Sequence, residues 1–234
     1  MKLILLALLI SNLSHAWDLK DLGGEVSTPV THAHQITLYG AAATGLVLIF
    51  EDSIEDPIQE SANRKKPLGH YSKFGDLVGL GYPNVLYILG QSVAGLSGND
   101  QGYNRALGMF KATAYAGVVT KLLKVTVREP RPDNKNDRDS FPSSHATMAF
   151  TFSGYVFGEH GWQWGVPALG LSLFSGFSRI NDNRHNLHDV LAGATIGFAY
   201  GLGMSRYQRK KDLAFTIVPI LEGETRGLAL IKDF

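Results

Sequence analysis

Six apolar stretches separated by polar breaks organise the chain, at residues 36–50, 77–97, 106–123, 144–158, 162–178 and 189–205. Each is too long for a strand and about the length of a helix, and all are rich in Ala, Leu, Gly and aromatic residues. The pattern predicts an all-α fold of six helices packed as a bundle, with close helix contacts at the glycines. Residues 51–76 are polar and charged, with Pro57, Pro67 and the basic run Arg64, Lys65, Lys66. They predict a surface excursion that is also able to cover a site. The interior of the polar run 133–140 reads as a solvated connector. Beyond residue 211 the character changes again: residues 215–221 and 227–231 flank the turn-like Glu222, Gly223, Glu224, which predicts a short C-terminal β-hairpin. Pro219 and Gly223 argue against a seventh helix there.

The N-terminus reads differently from the bundle. Met1 and Lys2 precede the apolar run 3–10, which is too short to span a bilayer, and Ser14 and Ala16 occupy the small-residue positions before a cleavage site. Residues 1–16 are therefore expected to be a signal peptide, residues 17–211 a single domain and residues 212–234 a tail or hairpin. The expected location is outside the cytoplasm, in the periplasm or cell envelope.

Composition narrows the chemistry. With 22 basic and 21 acidic side chains the net charge is +1, so no global field favours nucleic acid, and no nucleic-acid partner is expected. The absence of cysteine excludes disulfides, thiolate metal sites and cysteine nucleophiles. A mean hydropathy of −0.01 is low for a chain that crosses a membrane many times. Most of the apolar stretches also fall near or below the ~20 residues a span needs. The basic cluster Arg206, Arg209, Lys210, Lys211 after the sixth stretch pulls the other way, as an ordinary membrane flank, so membrane attachment stays open.

Three separated clusters hold the residue types a phosphate needs. The first is Lys124, six residues, then Arg131 and Pro132; alone it reads equally as a cationic helix end with a proline stop. The second is Phe141, Pro142, Ser143, Ser144, His145 at the entry to the fourth apolar stretch, where a serine is also a good helix cap. The third is Ser178 and Arg179, five residues, His185, three residues, Asp189. If the chain is helical from about residue 185, His185 and Asp189 share a face. The carboxylate can then fix the tautomer of the imidazole and leave its other nitrogen free. His188 lies outside these positions and reads as an ordinary polar residue, as do His32 and His34.

Taken in order, the three clusters resemble the signature of the type-2 phosphatidic acid phosphatase superfamily, K-x6-R-P, then P-S-G-H, then S-R-x5-H-x3-D. Ser144 stands where the family usually has glycine. The resemblance implies a six-helix phosphatase bundle that uses no metal and no cofactor. It implies that Lys124, Arg131 and Arg179 hold the phosphate oxygens, with Ser143 and the backbone of Ser144 adding hydrogen bonds. His185, oriented by Asp189, would attack phosphorus, and His145 would protonate the leaving oxygen and then activate water. The implied substrate is a phosphorylated small molecule or a lipid phosphate or diphosphate. A vanadium-dependent haloperoxidase, built on the same pocket, and a non-catalytic phosphate-binding module are the alternatives.

Overall fold

The computed structural model describes residues 19–212, 216–222 and 225–231; the expected signal peptide lies outside them. Ten α-helices and one 3-10 turn are present among the described residues: α1 (Leu19–Val26), α2 (Thr28–Thr31), α3 (His34–Ile49), α4 (Glu51–Lys65), the 3-10 turn Gly69–Tyr71, α5 (Ser72–Gly79), α6 (Tyr82–Leu96), α7 (Gly102–Val127), α8 (Ser144–His160), α9 (Trp162–Asn181) and α10 (Leu187–Asp212). An antiparallel pair, β1 (Thr216–Glu222) and β2 (Thr225–Ile231), follows with Val218 opposite Ala229, so the hairpin expected at the C-terminus forms. The fold is all-α apart from this hairpin. All six apolar stretches are helical, with the second divided at Gly81, whose φ of 87° suits glycine and separates α5 from α6.

The polar segment after α3 departs from expectation, because residues 51–65 form a helix rather than an excursion. Glu51 and Asp52 lie in its first turn and Arg64 and Lys65 in its last, each matching the helix dipole, while Glu55 and Ala62 are buried two turns apart. Its polar composition concealed one narrow buried stripe, and Pro57 is accommodated inside the helix.

Helix α7 shows how packing delivers a functional group. Ala106, Met109, Ala112, Ala116, Thr120 and Lys124 recur every three or four residues along its buried face, so the stripe that enters the core ends on a lysine. The core joins Met109, Ala112 and Tyr115 of α7 to Tyr155 of α8, Ala168 of α9 and Tyr200 and Met204 of α10. A second cluster, Ala62, Ala146, Phe150, Ile180 and Val190, ties α4 to α8, α9 and α10.

The most extensive helix contact is α8 on α10. A Cβ added at Gly193, Gly197 or Gly201 of α10 would strike the backbone carbonyl of Ser143, Thr147 or Thr151 respectively. This seam is therefore backbone against backbone, and it fixes the start of α10 against the start of α8. Among the described residues no helix is long and apolar enough to cross a membrane.

Candidate active site

The ends of α7, α8, α9 and α10 gather the three sequence clusters on one side of the bundle. Lys124 closes the buried face of α7 and donates from Nζ to the backbone carbonyls of Asp139 and, at 3.1 Å, Ser140. Burial disfavours its charge most, and its pKa falls to about 8. Arg131 donates from Nε and Nη2 to the two oxygens of Asp139 at 2.6 and 3.2 Å, a bidentate pair. Ser143 caps α8, accepting from the backbone N–H of Ala146, while its own N–H donates to the carbonyl of Asp189 at 3.0 Å. The second and third clusters are thus tied by the main chain. Ser144 is the first residue of α8 and half-buried, so its N–H belongs to a helix N-terminus that favours anions.

His185 is 2 % exposed and Asp189 fully buried. His185 sits in the turn before α10, which corrects the expectation that both lie on one helical face. They still meet, with Nδ1 of His185 3.5 Å from Oδ2 of Asp189. The same Oδ2 accepts from the Ser140 hydroxyl at 2.6 Å and from the N–H of Asn186 at 2.9 Å. Asp189 thereby serves as the return bond of a helix cap as well as the partner of the histidine. Because Nδ1 faces Asp189 and Ser140, Nε2 is the nitrogen left for chemistry. Burial is the main force holding the His185 pKa below the ordinary imidazole value, aided by Arg131 and Lys124 and opposed by Asp189. Burial works to raise Asp189, but the hydrogen bonds from His185 and Ser140 carry it below the usual carboxylate range.

His145 and Arg179 form the opposite wall. Arg179 is buried and donates from Nε to the Ser178 hydroxyl and from Nη2 to Asp182 at 3.3 Å. Its Nη1 meets Oδ1 of Asp76, and the same oxygen lies 3.3 Å from Nε2 of His145. Burial, with the Arg179 charge, depresses the His145 pKa to about 4 although Asp76 opposes it.

Several residues here escaped the sequence reading. Ser140 ends the run whose interior reads as a solvated connector, yet it is fully buried and bonded to Asp189, so the end of that loop belongs to the site. The available signal was that both flanking clusters must converge, which confines the loop joining them. From α4, Gln59 and Asn63 donate to the side-chain oxygen of Asn183 at 3.0 and 2.7 Å, fixing the turn that carries His185. His188, read as ordinary, is a buried anchor. Glu55 accepts from its N–H at 2.8 Å and from its Nδ1 at 2.8 Å, Glu129 sits 2.9 Å from Nε2, and Phe141 stacks on the ring. Burial opposes its charge, but the hydrogen bonds with Glu129 and Glu55 prevail and raise its pKa to about 10. Among the described residues, ligand-type atoms close enough to share a cation occur in Glu129, His188 and Asp189. Both nitrogens of His188 are already engaged by carboxylates.

Residues 105–213 match the family model described as the PAP2 superfamily. That segment is similar to the PAP2 superfamily. It contains all three clusters, whereas α4 and α5, which supply Glu55, Gln59, Asn63 and Asp76, precede it. The chain is 32% identical over 94 residues to a lipid A 4'-phosphatase of Helicobacter pylori, covering 39% of this chain and 46% of the relative. It is 35% identical over 100 residues to a lipid A 1-phosphatase of Porphyromonas gingivalis, covering 41% of this chain and 21% of the relative. The chain thus spans about half the length of the first and about a fifth of the second. In fold it is similar to a transmembrane PAP2 type phosphatidylglycerolphosphate phosphatase of Bacillus subtilis. The TM-score is 0.59 at 18% identity, over 79% of this chain and 97% of that one.

Proposed function

We propose that this protein is a phosphatase that removes a phosphoryl group from a lipid phosphate through a phosphohistidine on His185. The observation that carries the reading is the convergence of a buried, carboxylate-oriented histidine with Lys124, Arg131, Arg179 and a second histidine at the ends of four helices. Nε2 of His185 attacks phosphorus as the bond to the ester oxygen breaks. That oxygen keeps the bonding pair and takes a proton from His145. In the second half His145 removes a proton from water, the oxygen bonds to phosphorus, the P–N bond breaks and inorganic phosphate leaves. Lys124, Arg131, Arg179, Ser143 and the N–H of Ser144 stabilise the charge that spreads over the equatorial oxygens.

A lipid substrate is supported by the surface beside the site. Tyr71, Phe74, Leu77 and Leu80, on α5 and the segments flanking it, are exposed, and the ring of Phe174 of α9 lies 6.0 Å from that of Phe74 in a tilted pair. An apolar rim of this kind suits acyl chains and attachment to a membrane face in the cell envelope. Export through the signal peptide expected at residues 1–16 would deliver the enzyme there. The proposed reaction needs no metal. Purified protein treated with EDTA should hydrolyse lipid phosphates in mixed micelles faster than water-soluble monoesters, and orthovanadate should inhibit competitively by mimicking phosphate. Loss of all hydrolysis in EDTA, or insensitivity to millimolar vanadate, would reject the mechanism.

A further inference from the structure

Asp76 of α5 lies outside the PAP2 segment and has no place in the reaction described above, yet it touches two of that reaction's groups with one atom. Its Oδ1 meets Nη1 of Arg179 and lies 3.3 Å from Nε2 of His145. The other donors of Arg179 point elsewhere, Nε to Ser178 and Nη2 to Asp182. An anionic oxygen held between Nη1 and His145 therefore already exists in the molecule, and it is a carboxylate oxygen. A phosphoryl oxygen that used this guanidinium edge and faced this imidazole would need the same space.

Packing and exposure indicate which of the parts yields. Helix α5 packs too closely to shift freely: it lies against Ser178 at Gly75 and against His145 at Gly79 with no room for a Cβ, and retreat would break the bond that the Ser175 hydroxyl donates to the carbonyl of Gly75 at 2.8 Å. Arg179 is 5 % exposed and braced by Asp182. The side chain of Asp76, by contrast, is 41 % exposed. Rotation about its own side-chain bonds takes the carboxylate into solvent without moving the helix.

Resting on the phosphatase reading, we propose that Asp76 is a resident anion of the phosphoryl cradle, displaced when the phosphate enters and returning to expel the product. Three cations converging on inorganic phosphate would otherwise hold it tightly and slow turnover. A carboxylate tethered beside them competes for Arg179 and His145 at every cycle. It weakens substrate and product binding alike and takes no part in bond making.

The test is Asp76→Asn, which keeps the shape and removes the charge, with inorganic phosphate as the probe. The inhibition constant of phosphate against hydrolysis, and its dissociation constant measured by calorimetry on the full chain, should both fall by about tenfold. That is the scale expected for losing one partly exposed competing charge. Asp76→Ser should give the same direction, and in an Arg179→Ala background the gain from Asp76→Asn should shrink, since only the His145 contact remains. Phosphate binding that is unchanged or weaker in Asp76→Asn, in protein with a wild-type melting curve, overturns the proposal. A wild-type protein that hydrolyses phosphate esters while that result is obtained leaves the phosphatase reading standing. A folded wild type that neither hydrolyses them nor binds phosphate removes both.

Discussion

Replacing His188 by alanine should destabilise the protein more than any other change in the α10 turn. His188 is 4 % exposed, and its imidazolium lies between Glu55, itself buried, and Glu129. Removing it leaves the Glu55 carboxylate in the interior with the N–H of residue 188 as its remaining partner at this contact. Breaking a buried ion pair from one side costs about 3–5 kcal/mol. For a domain of this size each kcal/mol lowers the melting temperature by roughly 2–4 °C, so a drop of roughly 6–20 °C is expected by calorimetry or circular dichroism. Two controls separate the pair from simple loss of volume. The double variant Glu55→Gln, His188→Gln removes both charges and should recover much of the loss, a non-additivity that a cavity would not give. The pKa of His188 is raised on folding, so its contribution is complete below the ordinary imidazole value near 6.5 and is lost as pH rises through about 10. The wild type should lose stability across that interval more steeply than the double variant. A His188→Ala variant that melts within 3 °C of wild type, or a double variant whose loss equals the sum of the losses in Glu55→Gln and His188→Gln measured singly, would refute the ion-pair account.

Other outcomes follow from the same geometry. His185→Ala should lower kcat by at least ~10³-fold in single-turnover assays, since it removes the group proposed to bond to phosphorus; a loss below tenfold would reassign the nucleophile. The pH profile of kcat/KM should be a bell centred on the acid side, because His185 must be neutral and His145 protonated and both pKa values are depressed, that of His145 to about 4. An optimum above pH 7.5 with a poor leaving group would contradict these roles. Gly197→Ala puts a methyl group against the carbonyl of Thr147 and should cost about 1–3 kcal/mol in urea denaturation. Gly170→Ala, in the same assay, meets open space within α9 and should be neutral or stabilising by up to about 1 kcal/mol.

The parts of the molecule that could be read from sequence are those where one property dominates. Helices α7 to α10 are apolar over most of their length, and the residues at their ends follow a fixed spacing, so both the bundle and the cluster from Lys124 to Asp189 were legible. Helix α4 was not, because only Glu55 and Ala62 are buried along it, and a buried glutamate looks like surface until its partner is known. That partner, His188, was obscure for the reciprocal reason. Ser140 was lost among charged neighbours whose exposure it does not share. The His185 turn was expected to be helical because the i, i+4 spacing fits a helix, whereas the contact is made by an aspartate reaching back over a helix cap. For Glu55, His188 and Ser140 the missing information is a contact between residues far apart in the chain.

The glycine seam between α8 and α10 limits how an active site of this design can change. Since Gly193, Gly197 and Gly201 meet main-chain carbonyls, the offset between the turn carrying His185 and the start of α8 has no side chain through which it can be adjusted. Any residue larger than glycine pushes the two helices apart along their length. Laboratory selection for a new leaving group should therefore accumulate substitutions in α4, α5 and the 128–143 loop and leave the seam untouched, so that the reacting geometry stays constant while the walls around it are rebuilt.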